Sequence, residues 1–222
     1  MTLRTAEALA ALEELGEARI RDGLSRYGIV TGERVIGVPM AAIQKVAKSF
    51  GRDAALAEAL WATRVYEARM LAAYVGDPAS LTPEQMERWT REVDNWATCD
   101  TLCFKLFDRS PHAFAMVDAW ADDPAEFVRR TAFALLASLA LHDKKAGDEP
   151  FLARLHLIEA AATDDRNFVR KGVSWALRAI GRKQSPALRA ATRALADRLA
   201  ASSDKSARWI GRDAQKAFAK AA

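Results

Sequence analysis

Trp96 and Asp100 lie four residues apart in EVDNWATCDTLCFKLF, residues 92–107. On a helix this spacing puts an indole and a carboxylate on one face, and Cys103 continues the stripe. Indole faces attract cations, and a fixed carboxylate stabilises positive charge that develops beside it. The pair therefore suits a substrate that carries or acquires a positive charge. It is equally compatible with no chemistry, since a tryptophan on a helical stripe is ordinarily core and an aspartate beside it ordinarily marks the core boundary. Trp175 and Arg178 form a second pair, three residues apart in GVSWALRAIG. Arg129 and Arg130 fall in the first turns of the helix opened by Asp123, where a cation opposes the helix dipole by roughly a few tenths of a kcal/mol. That placement points to a demand on these arginines other than helix stability.

The elements that must carry these residues are helices. Ala, Leu, Arg and Glu are abundant, and no alternating β-branched segment of useful length occurs. Thr82-Pro83-Glu84-Gln85 predicts an N-cap with proline at the first helical position; Asp123-Pro124-Ala125-Glu126 repeats the pattern, and Ser185-Pro186 opens another helix. Gly51, Gly76 and Gly181 mark expected stops. The sequence is also internally similar. DDPAEFVRRTAFALLASLA (122–140) aligns with DDRNFVRKGVSWALRAIGR (164–182), pairing Phe127 with Phe168, Val128 with Val169, Arg129 with Arg170 and Arg130 with Lys171 at an offset of 41. In a weaker third copy, SSDKSARWIGRDAQKAF, Ala207-Arg208 follow Val169-Arg170 at an offset of 38. Helical repeats of this period mark HEAT-type arrays, in which stacked neighbours share a core that no helix pair could bury alone. The predicted fold is all-α, a HEAT-like helical-repeat solenoid (an α-α superhelix) with a concave basic face, taken as a single domain over residues 1–222.

Charge is divided unevenly along the chain. From Arg166 onward there are 14 Lys or Arg and 3 Asp or Glu, a net of +11, against 19 and 26, a net of −7, before it. Such a split favours a polyanion partner for the C-terminal part over a merely solvated basic surface only weakly. The longest apolar run, AFALLASLAL at 132–141, is too short to span a bilayer, so no membrane partner is expected. The acidic, helical start lacks the features of a signal peptide, which sets the expected location as cytoplasmic, the bacterial cytosol or nucleoid. Cys99 and Cys103 stand apart from His112, His142 and His156, so no metal site is expected. No phosphate loop, nucleophile elbow or dinucleotide fingerprint appears, and no cofactor is expected. Trp61, Trp89, Trp120 and Trp209 are assigned to core or inter-repeat packing.

The order and spacing of W-x-x-x-D at Trp96–Asp100, Val-Arg-Arg-Thr-Ala at 128–132 and F-V-R-K-x-x-x-W-A-L-R at 168–178 resemble the AlkD-type DNA alkylation repair enzymes, which are HEAT-like-repeat DNA glycosylases. The resemblance begins near Tyr27 with Gly37-Val38 and includes Leu60-Trp61 and Tyr66-Glu67-Ala68-Arg69. It implies hydrolysis of the N-glycosidic bond of cationic N3- or N7-alkylated purines in duplex DNA. By position, it makes Trp96 and Trp175 active-site tryptophans, Asp100 the essential carboxylate, and Arg130, Arg178 and Tyr27 DNA contacts. Asn95 stands where relatives often have a further Trp, and Lys144-Lys145-Ala146-Gly147 lengthens one connection.

The implied chemistry fits these residue types. Alkylation makes the purine a leaving group that departs neutral, so one carboxylate suffices and no general acid is required. Asp100 would stabilise the oxocarbenium-like sugar and orient water, while two indoles would hold the cationic lesion. The resemblance implies that the lesion stays largely stacked, without a base-flipping pocket. Arg129, Arg130, Arg170, Lys171, Arg178, Arg208 and Arg212 are then expected to bind phosphates. The expected partner is double-stranded DNA containing alkylated purines, bound by a monomer. Two other classes remain: a non-catalytic HEAT-repeat protein binding duplex or distorted DNA, and a protein-interaction scaffold. An anion facing phosphates is useful only to the enzyme.

Overall fold

A computed structural model describes residues 2–220. Contacts divide the chain into two compact units, Met1–Pro111 and His112–Ala222. The first carries α1 (Leu3–Glu13), α2 (Ala18–Arg21), a 3-10 turn at Leu24–Tyr27, α3 (Met40–Phe50), α4 (Ala54–Trp61), α5 (Tyr66–Val75), α6 (Pro83–Arg91) and α7 (Trp96–Lys105). The second carries α8 (Ala113–Trp120), α9 (Glu126–His142), α10 (Glu149–Leu152), α11 (Leu155–Ala160), α12 (Asn167–Gly181), α13 (Pro186–Ala200) and α14 (Lys205–Ala219). Among the described residues there is no strand, only an isolated bridge between Arg34 and Val65. No helix of the described residues is long and apolar enough to cross a membrane.

Local signals place several boundaries. Thr82 caps α6 by accepting from the Gln85 N–H, and Ser185 caps α13 by accepting from Leu188 N–H, as the sequence predicts. The start of α9 differs. Asp123 uses its carboxylate on the Ala125 N–H, Ala125 stays extended, and the helix begins at Glu126. Gly51 ends α3 with φ of 66°, Gly76 is the C-cap of α5, and Gly181 is the last residue of α12.

In the first unit α5 is the central helix, buried from Tyr66 through Ala73 and packed against α3, α4 and α7. Two of its charged residues are buried for separate reasons. Glu67 accepts from the backbone N–H groups of Ile36, Gly37 and Val38 at 2.9, 2.6 and 3.3 Å. It thereby closes the connection before α3. Gly37 is required there, since its φ is 96° and a Cβ would lie 2.3 Å from the Glu17 carbonyl oxygen. Arg69 donates to the Trp61 and Glu92 carbonyls and to the Glu92 carboxylate, and its guanidinium lies 4.3 Å from the Trp61 ring centroid. Trp61 in turn stacks on Trp89 at 4.5 Å.

In the second unit α9 is buried along nearly its whole length and packs against α12. The repeat equivalents Phe127 and Phe168 meet across this joint at 5.3 Å. Helix α14 buries Ala207, Ile210, Ala214 and Phe218 on one face against α12 and α13. Gly211 sets the closeness of that packing, because a Cβ would lie 2.2 Å from Ala200 N.

Candidate functional site

The sequence puts Trp96 and Asp100 one turn apart, and the structure shows what fixes their helix. Asn95 caps α7: its Oδ1 accepts from Ala97 N and Thr98 N at 3.1 and 3.0 Å, and its Nδ2 donates to Asp94 Oδ1 and Thr98 Oγ1 at 2.9 and 3.1 Å. Asn95 is thus a buried cap. Its carboxamide does work that an indole could not do. Asp94 reaches the other way. Its Oδ2 accepts from the Thr31 hydroxyl and the Gly32 N–H, both at 2.8 Å. The turn into α7 is thereby tied to the segment that follows the 3-10 turn.

That segment brings Tyr27 to the site. The Trp96 Nε1–H donates to the Tyr27 carbonyl oxygen at 3.1 Å, which sets the orientation of the indole. Gly28, at φ of 69°, turns the chain immediately afterwards. Tyr27 itself stays 74% exposed. Trp96 and Asp100 are half-buried. Tyr27, Trp96 and Asp100 therefore belong to one neighbourhood of the first unit: an aromatic exposed to solvent, an indole pinned by its N–H, and a carboxylate one turn along. Deeper in α7, burial pushes the Cys103 thiol well above its usual range, with Cys99 and Asp100 adding to the shift. The two cysteines are buried and form no disulfide. Among the described residues no group of three His, Cys, Asp or Glu is arranged to hold a metal ion.

In the second unit, Lys171, Trp175 and Arg178 fall at i, i+4 and i+7 on α12 and so share a face. Lys171 is exposed, and Trp175 and Arg178 are half-buried. Arg178 is held in place: its Nε lies 3.1 Å from Asp213 Oδ2, which also accepts from the Ser174 hydroxyl at 2.6 Å. Three of the expected phosphate ligands are instead drawn into the packing. Arg130 is only 5% exposed and donates to the Phe168 carbonyl at 2.9 Å. Arg129 donates to the Ala121 carbonyl and to Asp164 at 3.0 and 2.9 Å and pairs with Asp122. Arg208 folds back on the carbonyls of Ser202 and Ser203 at 2.8 and 3.0 Å. The cations at the start of α9 thus find partners within the unit, which answers why they sit against the helix dipole. Burial would raise the Asp164 carboxyl, but hydrogen bonds from Arg166 and Arg129 outweigh it and hold it at about 2. Arg170 lies over the Trp209 ring at 4.8 Å, and Arg212 is exposed.

A family model described as "DNA alkylation repair enzyme" matches residues 8–218. The chain belongs to the DNA alkylation repair enzyme family. The match runs through both units and takes in Tyr27, Trp96, Asp100 and Trp175. A solved structure described as "a new family of proteins related to the HEAT-like repeat DNA glycosylases with affinity for branched DNA structures" has the same fold. The TM-score is 0.77 and the identity 18%, over 97% of this chain and 95% of that one. The likeness makes the architecture of this family member a HEAT-like helical repeat. Among curated proteins none matches the chain in sequence.

Sequence reasoning missed two features of the neighbourhood. Asn95 carries a cap signal, since Asn is among the best N-cap residues, and it was legible as one. Glu33 was not legible. It is buried with Arg69 36 residues away, its Oε1 2.6 Å from Arg69 Nη1, with both side chains 3% exposed, and nothing in its local sequence marks it.

Proposed function

We propose that this family member is a monofunctional alkylpurine DNA glycosylase, acting as a monomer on duplex DNA that carries cationic N3- or N7-alkylated purines. The observation that carries the reading is the pinned Trp96 with Asp100 one turn along α7. Alkylation leaves the purine positively charged, so the C1′–N bond breaks to release a neutral base. Positive charge passes to the deoxyribose. The Asp100 carboxylate stabilises that charge and orients the water that adds to C1′. The Trp96 ring, fixed by its N–H, presents a face to a cationic group, an interaction worth roughly 0.5 to 2 kcal/mol. No lysine is required, because the product is an abasic site and not a Schiff base. Trp175, Lys171, Arg178, Arg212 and Tyr27 are assigned contacts to the damaged duplex. Arg129, Arg130 and Arg208 hold the backbone of the unit that makes such contacts, and Arg170 belongs with Trp209.

The test is direct. Methylated duplex DNA is incubated with the protein, and free 3-methyladenine and 7-methylguanine are quantified. Release is expected from the wild type and is expected to fall about 100-fold or more in Asp100→Asn, the scale on which removing one transition-state electrostatic contact acts. Activity that survives both Asp100→Asn and Trp175→Ala means the site is elsewhere.

A second reading rests on the fold relative with affinity for branched DNA structures: a member that binds distorted DNA without cutting it. Tight binding of branched over linear duplex, with no base released from methylated DNA, would favour it.

A further inference from the structure

Trp209 stands apart from the other tryptophans off the candidate site. Trp61, Trp89 and Trp120 are fully buried, whereas Trp209 is 39% exposed. It lies on the face of α14 opposite the buried residues. Lys205, Trp209, Arg212 and Lys216 follow one another at i, i+4, i+7 and i+11, a single stripe about 16 Å long at 1.5 Å per residue. Lys205, Arg212 and Lys216 are exposed, and none makes an ion pair among the described residues. Five arginines of the unit do have carboxylate partners: Arg129 and Arg166 share Asp164, Arg154 pairs with Asp118, Arg178 with Asp213 and Arg198 with Glu159. The stripe on α14 is left uncompensated.

The ring is also backed. Arg170, from α12, places its guanidinium 4.8 Å from the Trp209 centroid. Its Nε is buried and has no hydrogen-bond partner among the described residues, and Arg170 makes no ion pair among them. A guanidinium without a carboxylate partner, stacked on an indole, fixes the ring plane without neutralising the positive charge around it. A plain packing tryptophan needs neither the exposure nor the uncompensated cations.

We propose that this face of α14 is a stacking site for an unpaired base of single-stranded DNA. The Trp209 ring carries the base, and Lys205, Arg212 and Lys216 follow the phosphates on either side of it. A base offers a flat π-face whatever its identity, so an exposed aromatic in a positive stripe binds single strands without reading sequence. An acidic protein segment would use the same cations but would gain little from the ring. The site needs neither a lesion nor Asp100, so it stands whether or not the chain excises bases.

The experiment measures binding of a fluorescein-labelled oligothymidine of about 12 nucleotides and of an undamaged duplex of equal length, by anisotropy at fixed salt. Wild type, Trp209→Ala, Trp209→Phe and Arg212→Ala are compared, with thermal unfolding confirming that each is folded. Trp209→Ala is expected to weaken oligothymidine binding about 10-fold and duplex binding less than about 2-fold, and Trp209→Phe to restore most of the loss. Arg212→Ala is expected to weaken both ligands and flatten both salt dependences. Unchanged oligothymidine affinity in a folded Trp209→Ala overturns the proposal. So does an equal loss for both ligands, or displacement of oligothymidine by polyglutamate that is indifferent to Trp209.

Discussion

The Trp96 indole donates to a carbonyl 69 residues away in sequence, and that bond separates a positioned aromatic from a packed one. A tryptophan that merely fills the core gains from area; one that is half-exposed gains from a fixed plane. Trp96→Phe keeps most of the area and removes the N–H. It is expected to lower base release from methylated DNA about 10-fold, while unfolding stability changes by only ~1 kcal/mol, the usual worth of one hydrogen bond. Thermal denaturation alongside the release assay checks this; a large stability loss would mean that the ring is structural. Asn95→Ala should behave in the opposite way. It strips the cap from α7 and leaves the Thr98 N–H without its acceptor in a buried setting, for a loss of about 1–3 kcal/mol visible in denaturant unfolding. At this scale the sequence was partly legible. Helical spacing put Trp96 beside Asp100, and the resemblance supplied Tyr27, but no spacing rule links residue 27 to residue 96. The partners of Arg129 and Arg130 were likewise invisible, because Asp164 and the Phe168 carbonyl come from the next repeat.

Between helices, the segment from Tyr27 to Val38 is an element without regular structure that is fastened at three points: Asp94 on Thr31 and Gly32, Arg69 on Glu33, and Glu67 on the backbone at 36–38. Glu33 is the titratable fastener. Burial pushes its carboxyl up to about 7, against the pull of Arg69 and with further upward pushes from Asp94 and Glu92; Arg64 pulls it down. The folded chain therefore keeps a proton on Glu33 that the unfolded chain has lost. This contribution to stability is complete below about pH 4.5 and is lost as pH rises through about 7, up to roughly 3 kcal/mol for a shift of that size. Thermal midpoints are expected to fall between pH 5 and 7, and Glu33→Gln to flatten that slope. Equal slopes in the two proteins would show that another group is responsible. Helix boundaries were legible wherever one cap sufficed, as at Thr82 and Ser185. They were displaced where a carboxylate had a competing partner, as at Asp123. Trp209, assigned to core or inter-repeat packing, does meet Arg170 of the preceding repeat; its exposure was not read, although the cations at 205, 212 and 216 already marked its face as polar.

Across the whole chain, the repeat offset of 41 and the charge split were the durable signals. The first reappears as the Phe127–Phe168 contact between α9 and α12. The second survives in part. Several basic residues of the second unit are consumed by carboxylates and carbonyls within it, while others stay exposed, among them Lys171, Arg182, Arg193 and the α14 stripe. Duplex binding is expected to weaken steeply with salt, with the logarithmic slope reduced by about 0.9 for each phosphate contact removed; Lys171→Ala and Arg212→Ala titrations read this. A slope near zero in the wild type would sink the proposed duplex contacts.

One comparison weighs the role of Asp100 against mere DNA binding. A duplex with a single 7-methylguanine is mixed with protein in excess over its dissociation constant, and base release is followed in one turnover for the wild type and for Asp100→Asn, with bound DNA measured in the same samples. Unchanged binding with a rate about 100-fold lower or worse is expected. Equal rates at equal occupancy would remove Asp100 from the chemistry.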